Sequence, residues 1–291
     1  MLDRNGVNMS IPTITLRGGI ELPAVGFGTY QLRAKSGATE IKNAINNGYR
    51  LIDTAYNYEN EGTVGQAIKI ANVSRDQLII SSKLPGRYHE YQAALDAIEE
   101  SLYRADLDYF DLYLIHWPNP MKDHYVEAWQ ALLEAKKRGL IRAAGVSNFL
   151  PEHLDRLEEE TGELPEVNQV EIHPLFSQAK QRQYDRDHEI VTEAWSPLGG
   201  AGKKLSQPIR DLPLIKQLAH KYHKDGGQIM LRWEYQLGVI PLPRAKSSNH
   251  QQANLDLFDF QLTAAEMDAI TDLDQPDARV SGQDPRTHLE L

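Results

Sequence analysis

The chain has 291 residues, of which 41% are hydrophobic and 25% charged, and this length allows one large or two ordinary globular domains. Its formal charge of −10 disfavours non-specific binding to nucleic acid or acidic lipid, and no stretch approaches the roughly 18 consecutive apolar residues of a membrane span. The absence of cysteine excludes disulfides, thiolate catalysis and cysteine-ligated metals.

The first ten residues are polar, and we expect them to form a disordered N-terminal extension. They lack the basic region and apolar run of a secretory signal, so the sequence predicts a cytoplasmic protein. Residues 11–291 contain no linker-like or low-complexity stretch. We therefore expect them to form a single domain.

The predicted elements begin with a β-hairpin, because apolar and polar residues alternate from Ile11 to Leu22 around a turn at Gly18 and Gly19. From there on, short apolar runs alternate with segments whose apolar residues have helical spacing. The runs begin near Val25, Tyr49, Leu78, Phe110, Ala143, Val167, Ile190 and Val239. Eight strands, nearly all followed by a helix, indicate parallel pairing and predict an α/β fold. It is a (β/α)₈ barrel with an N-terminal β-hairpin and a short C-terminal tail.

Several common site motifs are incomplete in this chain. Gly26-Phe27-Gly28 has glutamine at position 31, where a dinucleotide fingerprint has its third glycine, and no helix begins there. Gly202-Lys203 has proline five residues before it and a second lysine after it, so it is not a phosphate loop. The zinc-hydrolase and serine-hydrolase motifs are absent, and we expect no metal.

Polar residues stand at the ends of several predicted strands, which is where the active site of such a barrel lies. They are Asp53, Lys83, His116, the Ser147-Asn148 pair, Gln169 and Trp195. Taken singly, each has a structural explanation, such as a helix cap, a solvated strand end or a packed ring. Their shared position predicts one cavity.

Four residues, including Tyr58 five positions after Asp53, form a coherent set for proton transfer. The ammonium of Lys83 would lower the pKa of the Tyr58 phenol from its ordinary value of about 10. Asp53 would pair with Lys83 and fix its position. A neutral His116 would hydrogen-bond the substrate oxygen and orient it.

Five segments resemble the successive signatures of the aldo-keto reductases and occur in that family's order. They are Asp53-Thr54-Ala55 with Tyr58, Ser81-Ser82-Lys83, Leu114-Ile115-His116-Trp117-Pro118, residues 141–149 and residues 168–174. The resemblance implies NAD(P)H-dependent reduction of small aldehydes, ketones or dicarbonyls on a (β/α)₈ barrel. It also implies a catalytic tetrad of Asp53, Tyr58, Lys83 and His116.

The resemblance further implies that the cofactor is NADP(H). Residues at the strand ends would hold the nicotinamide and its carboxamide, and a following loop would wrap the pyrophosphate. Trp195 stands where the family more often has a tyrosine, and would keep the stacking on the nicotinamide. The expected contacts are Gly28, Thr29, Asp53, Ser147, Asn148, Gln169 and Trp195, then Ser196, Pro197, Leu198 and Gly199.

At the adenosine end, the resemblance implies contacts from Arg244, His250 and Asn254. Ala245 stands where the family has a serine, and His250 replaces an arginine, which is always charged, with a side chain that is largely neutral at pH 7. We therefore expect a weakened preference for the 2′-phosphate and appreciable use of NAD(H).

The substrate pocket implied by the resemblance is lined by Tyr30 and Trp117 together with Tyr58 and His116. The short polar tail after Leu273 resembles the prokaryotic branch that includes 2,5-diketogluconate and methylglyoxal reductases. It implies an open pocket that tolerates small aldehydes and dicarbonyls. We expect a monomer without nucleic-acid or membrane partners.

Two other functions remain open on the residues alone. A Schiff-base lyase would use Lys83 as nucleophile, although a neighbouring Asp53 favours its charged form, and borohydride trapping of substrate on Lys83 would support it. A redox-sensing regulatory protein on the same fold would bind NADPH tightly but turn over a broad panel of carbonyls slowly.

Overall fold

The computed structural model describes residues 11–200, 207–276, 278–280 and 282–291. It begins with an antiparallel hairpin of β1 (Thr13–Thr15) and β2 (Glu21–Pro23). Eight parallel strands then follow in sequential spatial order. The predicted (β/α)₈ barrel with an N-terminal hairpin is thus confirmed, while the expected N-terminal extension lies outside the described residues.

The barrel strands are short and nearly all buried. They are β3 (Phe27–Gly28), β4 (Leu51–Asp53), β5 (Ile79–Leu84), β6 (Phe110–Ile115), β7 (Ile141–Ser147), β8 (Val167–Glu171), β9 (Val191–Trp195) and β10 (Ile240–Pro241). Ten helices are described, namely α1 (Ala34–Asn47), α2 (Glu61–Ile70), α3 (Tyr91–Ala105), α4 (Tyr125–Lys137), α5 (Pro151–Thr161), α6 (Ala179–Asp187), α7 (Pro213–Tyr222), α8 (Gly226–Gln236), α9 (Ser248–Leu255) and α10 (Ala264–Thr271). In the part of the chain that the structure describes, no helix is long and apolar enough to cross a membrane.

The helices form where apolar residues recur at helical spacing, as α1 shows. Ile41, Ala44 and Ile45 are fully buried on its inner face. Gly48, with a positive φ of 120°, caps the end of the helix, and its N–H donates to carbonyl groups of the last turn. This stop places β4 directly after the helix.

The hairpin covers the N-terminal end of the barrel. Arg17 donates hydrogen bonds to the carbonyl groups of Leu164 and Pro165, which lie just before β8. Leu16, Ile20 and Leu22 belong to one buried cluster with residues of the barrel interior. The C-terminal end of the strands is therefore the end left for a site.

The C-terminal segment returns across that opposite end. Val280 donates its N–H to the carboxylate of Glu171 at 2.6 Å, and the Glu290 N–H reaches the Asn119 side chain at 2.9 Å. Glu171 ends β8 and Asn119 follows β6. The tail consequently contacts the carboxyl ends of two strands and the segments that follow them.

The barrel closes between its first and last strands through two hydrogen bonds. The Gly26 N–H donates to the Pro241 carbonyl at 3.0 Å, and the Gly28 N–H donates to the Pro243 carbonyl at 3.2 Å. The backbones approach closely here, because a Cβ on Gly28 would lie 2.9 Å from the backbone oxygen of Leu242. Only glycine fits this position without moving a strand.

Replacing Gly28 with alanine should therefore destabilise the barrel by about 1–3 kcal/mol, since the obstructing atom belongs to the backbone and cannot rotate away. Urea unfolding followed by circular dichroism measures the change. Asn43→Ala, on the exposed face of α1, is the control and should change stability by less than about 0.5 kcal/mol. Equal stability of Gly28→Ala and the wild type would contradict this account of closure.

Candidate active site

A buried ion pair joins β4 and β5 at their C-terminal ends. The Lys83 Nζ lies 2.6 and 2.8 Å from the two carboxylate oxygens of Asp53 and 2.8 Å from the Thr54 carbonyl. Lys83 is 1% exposed and Asp53 4%. Three acceptors therefore match the three N–H groups of the ammonium, as a buried charge requires.

Tyr58 lies beside this pair, at the end of a 3₁₀ turn over Tyr56–Tyr58 that directly follows β4. Its ring centroid is 5.2 Å from the Lys83 Nζ and 5.9 Å from the His116 ring. His116 follows the last residue of β6. The four residues predicted as a catalytic set thus lie together at one end of the barrel.

The protonation state of Tyr58 differs from the expectation. Burial raises the pKa of its phenol to about 12, with Asp53 and Glu290 adding to the increase, while Lys83 opposes it. The predicted lowering by Lys83 is present, but burial, which disfavours the phenolate, outweighs it, and Asp53 opposes it as well. At neutral pH Tyr58 is a phenol that holds its proton.

Lys83 keeps its charge despite complete burial. Desolvation lowers the pKa of its amine, but Asp53 and Tyr58 raise it more, so the net pKa lies above its ordinary value. A Schiff-base nucleophile needs the neutral amine. The structure therefore disfavours the lyase alternative.

Gln169, in the middle of β8, connects the ion pair to a second carboxylate. Its Nε2 donates to Asp53 at 3.0 Å and to Glu193 at 2.8 Å. Glu193 is fully buried on β9, and burial, aided by Asp53, raises its pKa to about 7. Glu193 was not among the site residues predicted from the sequence. Glu193 lies two residues before Trp195, so the two side chains lie on the same face of the strand. This spacing could have identified Glu193 from the sequence.

The side-chain amide of Asn148 makes three hydrogen bonds. Asn148 donates to the His116 carbonyl at 2.9 Å and to the Ser147 hydroxyl at 3.0 Å, and Ser147 donates to the Gln169 carbonyl. The Trp195 Nε1 donates to the Asn148 side-chain oxygen at 2.8 Å. A tyrosine ring has no such N–H, so the tryptophan both offers a stacking face and fixes this amide.

Gly28 and Thr29, the contacts expected from the first barrel strand, lie against the end of β4. The Thr29 N–H and hydroxyl both donate to the Asp53 carbonyl, at 3.0 and 2.9 Å. Asn60 donates to the Thr29 carbonyl and accepts from Thr54. These hydrogen bonds hold the segment after β3 against the end of β4, next to Asp53.

The segment expected to wrap the pyrophosphate is a turn with several left-handed residues. Ser196, Gly199 and Gly200 have φ of 52°, 74° and 58°. Turns of this kind can present backbone N–H groups to an anion. Within this one, the Gly199 N–H donates to the Ser196 carbonyl at 2.8 Å. Residues 201–206, including the rejected Gly202-Lys203 motif, lie outside the described residues.

The three residues predicted at the adenosine end lie on the β10–α9 connection and on α9. Arg244 is exposed and donates to the Tyr30 carbonyl at 3.0 Å and to the Gln31 side chain at 2.7 Å. His250 is exposed in the first turn of α9, and Asn254 is buried one turn later. Of the three, only Arg244 carries a permanent positive charge.

The predicted pocket residues differ in exposure. Tyr30 is 55% exposed and meets the Tyr58 ring edge-on at 5.0 Å between centroids. Trp117 is buried, with its ring 4.3 Å from that of His288 in the C-terminal tail. The same tail brings Glu290 to His116, with 2.7 Å between the carboxylate Oε1 and Nδ1. No local sequence pattern pointed to this contact.

Across the described ranges, no group of three or more histidine, cysteine, aspartate or glutamate residues is arranged to hold a metal ion.

Comparison with known proteins points to one family. A profile of the Aldo/keto reductase family matches residues 24–275. The chain is 44% identical to 2,5-diketo-D-gluconic acid reductase B of Corynebacterium sp., over 97% of this chain and 99% of that protein. It is 42% identical to a methylglyoxal reductase of Escherichia coli strain K12, over 95% and 98% of the two chains. A crystal structure of a Bombyx mori aldo-keto reductase in complex with NADP superposes with a TM-score of 0.86 at 36% identity, covering 92% of this chain and 94% of that one.

The raised pKa of Glu193 predicts a pH-dependent effect of Glu193→Gln on stability. The unfolded side chain ionises near pH 4.5 and the folded one near 7. The wild type therefore loses stability as pH rises through this window, whereas the amide does not titrate. Relative to the wild type, the variant should gain about 1–3 kcal/mol between pH 5 and pH 8 in urea unfolding.

The control is Glu159→Gln, an exposed carboxylate on α5, which should show the same difference from the wild type at both pH values. A pH-independent effect of Glu193→Gln would show that the folded protein does not hold Glu193 protonated.

Proposed function

The chain belongs to the aldo/keto reductase family and is an NADPH-dependent carbonyl reductase, and we propose that it reduces small aldehydes and dicarbonyls with Tyr58 as proton donor. One observation carries the assignment of the donor. Tyr58 is a protonated phenol at neutral pH, yet it lies beside the buried ammonium of Lys83, which stabilises the anion that remains after proton transfer.

The four residues divide the work of proton delivery. The reduced nicotinamide, when bound, supplies the hydride to the carbonyl carbon. Tyr58 gives its proton to the carbonyl oxygen and becomes a phenolate that Lys83 stabilises. Asp53 holds Lys83 in place, and His116 hydrogen-bonds the same oxygen. The product is an alcohol.

The cofactor contacts are part of this proposal. Ser147, Asn148 and Gln169 would bind the nicotinamide carboxamide, and Trp195 would stack on the ring, as its position at the rim allows. Gly28, Thr29 and the turn from Ser196 to Gly199 would contact the ribose and diphosphate. Arg244, His250 and Asn254 would contact the adenosine half. The fixed Asn148 amide and the left-handed turn support these roles.

The substrate class rests on the relatives and on the composition of the rim. Relatives more than 40% identical over nearly the whole chain are named as reductases of a diketo-gluconic acid and of methylglyoxal. Tyr30 and Trp117 would provide the apolar walls, with Tyr58 and His116 as the polar groups that select a carbonyl.

We also propose that the protein is a cytoplasmic monomer in which residues 11–291 form one barrel domain. The net charge of −10 gives no support to a nucleic-acid or membrane partner. Among the residues that the structure describes, seven large hydrophobic side chains are exposed, namely Tyr30, Ile70, Tyr91, Tyr103, Met121, Leu289 and Leu291.

Tyr58→Phe should lower kcat for methylglyoxal and glyoxal by about 10²–10⁴-fold while NADPH binding stays unchanged, because only the transferred proton is lost. Absorbance loss of the reduced nicotinamide measures turnover, and quenching of protein fluorescence measures binding. Tyr103→Phe, an exposed tyrosine on α3, is the matched control and should be fully active.

Wild-type turnover in Tyr58→Phe would exclude Tyr58 as the donor. A wild-type protein that binds NADPH tightly but reduces none of a broad carbonyl panel would instead favour the sensor alternative.

The cofactor preference should be moderate, with kcat/KM for NADPH exceeding that for NADH by less than about a thousandfold, or roughly 4 kcal/mol. His250→Arg should increase the ratio by about tenfold or more, because a permanently charged fork is added near the expected 2′-phosphate. His220→Arg on the exposed face of α7 adds the same charge elsewhere and should leave the ratio unchanged. A wild-type ratio above a thousandfold would contradict relaxed use.

A further inference from the structure

A second cavity, of about 400 Å³, lies at the N-terminal end of the barrel, opposite the tetrad. It is bounded by the hairpin, by α6 and by the first residues of β9 and the residues before β10. Leu16 from the hairpin turn and Leu237 after α8 provide part of an apolar wall, and three arginines, Arg17, Arg182 and Arg186, also line the space. A concave site of this size, largely apolar and with a few charged groups, is typical of small-molecule binding sites.

Arg182, on α6, is the buried arginine of the three. It is 8% exposed, and its Nε donates to the Ser177 carbonyl at 2.8 Å. A guanidinium has five N–H donors, yet this is the one hydrogen bond that Arg182 donates within the part of the chain that the structure describes. Asp274 lies close enough for its charge to act on Arg182, but its Oδ1 accepts the Ser177 N–H at 2.7 Å. Arg182 therefore has donors to spare at a buried position.

Arg186 lies one turn later on α6 and adds a second charge to the same wall. It donates to the Gln183 side chain at 2.8 Å and forms no ion pair with any described residue. Burial lowers the pKa of Arg182, and the charge of Arg186 lowers it further, while Asp274 opposes both. Desolvation and a like charge both disfavour a guanidinium. A negative charge in the cavity would offset both effects.

The charges around the cavity also favour an anion. Glu189, which is exposed, is the one carboxylate among the described residues that line it. Arg17 lies on the hairpin side and donates to two backbone carbonyl groups just before β8. Three positive side chains against one negative side chain leave the lining positive, on a chain whose net charge is −10. This local reversal of sign attracts small anions.

We propose that this cavity is a binding site for a small organic anion, whose carboxylate or phosphate oxygens accept hydrogen bonds from Arg182 and Arg186. The planar guanidinium suits such a group because it can donate two parallel hydrogen bonds to it. The apolar part of the ligand packs against Leu16 and Leu237. Since Tyr58 lies at the other end of the barrel, the anion does not compete with the carbonyl substrate.

The test is isothermal titration calorimetry with citrate and with inorganic phosphate at constant ionic strength. The protein is saturated with NADP⁺, so that neither probe can occupy the cofactor site. At least one probe should bind saturably, with one site per chain. Arg182→Met should weaken this binding by about tenfold or more, and Arg186→Gln by about three- to tenfold, because each removes a charged donor to the anion.

Two further variants separate a defined site from a general effect of charge. Lys180→Gln removes a positive charge from an exposed position of α6 that does not line the cavity, and its affinity should stay within about twofold of the wild type. Glu189→Gln removes the negative charge of the lining and should tighten binding by about two- to threefold. A comparison of the two probes shows whether the site prefers a carboxylate or a phosphate.

The proposal would be overturned if neither probe bound saturably, or if Arg186→Gln bound as tightly as the wild type. A loss in Lys180→Gln equal to that in Arg186→Gln would also overturn it. If Arg182→Met does not fold, Arg186→Gln and Glu189→Gln decide the question, since both positions are exposed. Tyr58→Phe should bind the anion as the wild type does, so this result is independent of the proposed reductase activity.

Discussion

The buried pair of Lys83 and Asp53 is the interaction on which the rest of the site depends. Two charges removed from water are tolerated only when each finds partners, and losing one partner of such a pair typically costs about 3–5 kcal/mol. Here the pair joins β4 to β5, and Gln169 extends it to β8 and to Glu193 on β9. The groups that we propose to be catalytic are therefore also part of the polar network buried in the barrel.

The same pair explains how Tyr58 can be both stable and useful as an acid. If Lys83 were unpaired, its charge would pull the phenol toward ionisation in the resting protein. Burial, with Asp53 opposing the charge of Lys83, raises the pKa of Tyr58 to about 12. Tyr58 thus keeps its proton until the carbonyl oxygen of a substrate gains negative charge. Lys83 can then stabilise the phenolate that forms when the proton is transferred. The arrangement lets Tyr58 donate its proton to a substrate without losing it in the resting protein.

The sequence was sufficient for the order of strands and helices because each is written in local periodicity, and sufficient for the tetrad because strand ends converge in a barrel. The features that could not be predicted from the sequence depend on which residues surround a group in three dimensions. The pKa of Tyr58 is set by burial, which no spacing reveals. Glu193 stood inside an apolar run and was read as part of the strand. Glu290 is 174 residues from His116 along the chain, and nothing local states where a polar tail will dock.

At the seam where β3 meets β10, the backbone hydrogen bonds run in one direction only. Pro241 and Pro243 accept hydrogen bonds from the first strand, but prolines have no N–H with which to donate in return. Arg244 crosses the same seam to the Tyr30 carbonyl. A dinucleotide held by Thr29 on one side and Arg244 on the other would span this joint, so its binding energy and the closure of the barrel are thermodynamically coupled. Cofactor occupancy would then protect the whole fold against unfolding, and it would do so at the joint between the first and the last strand.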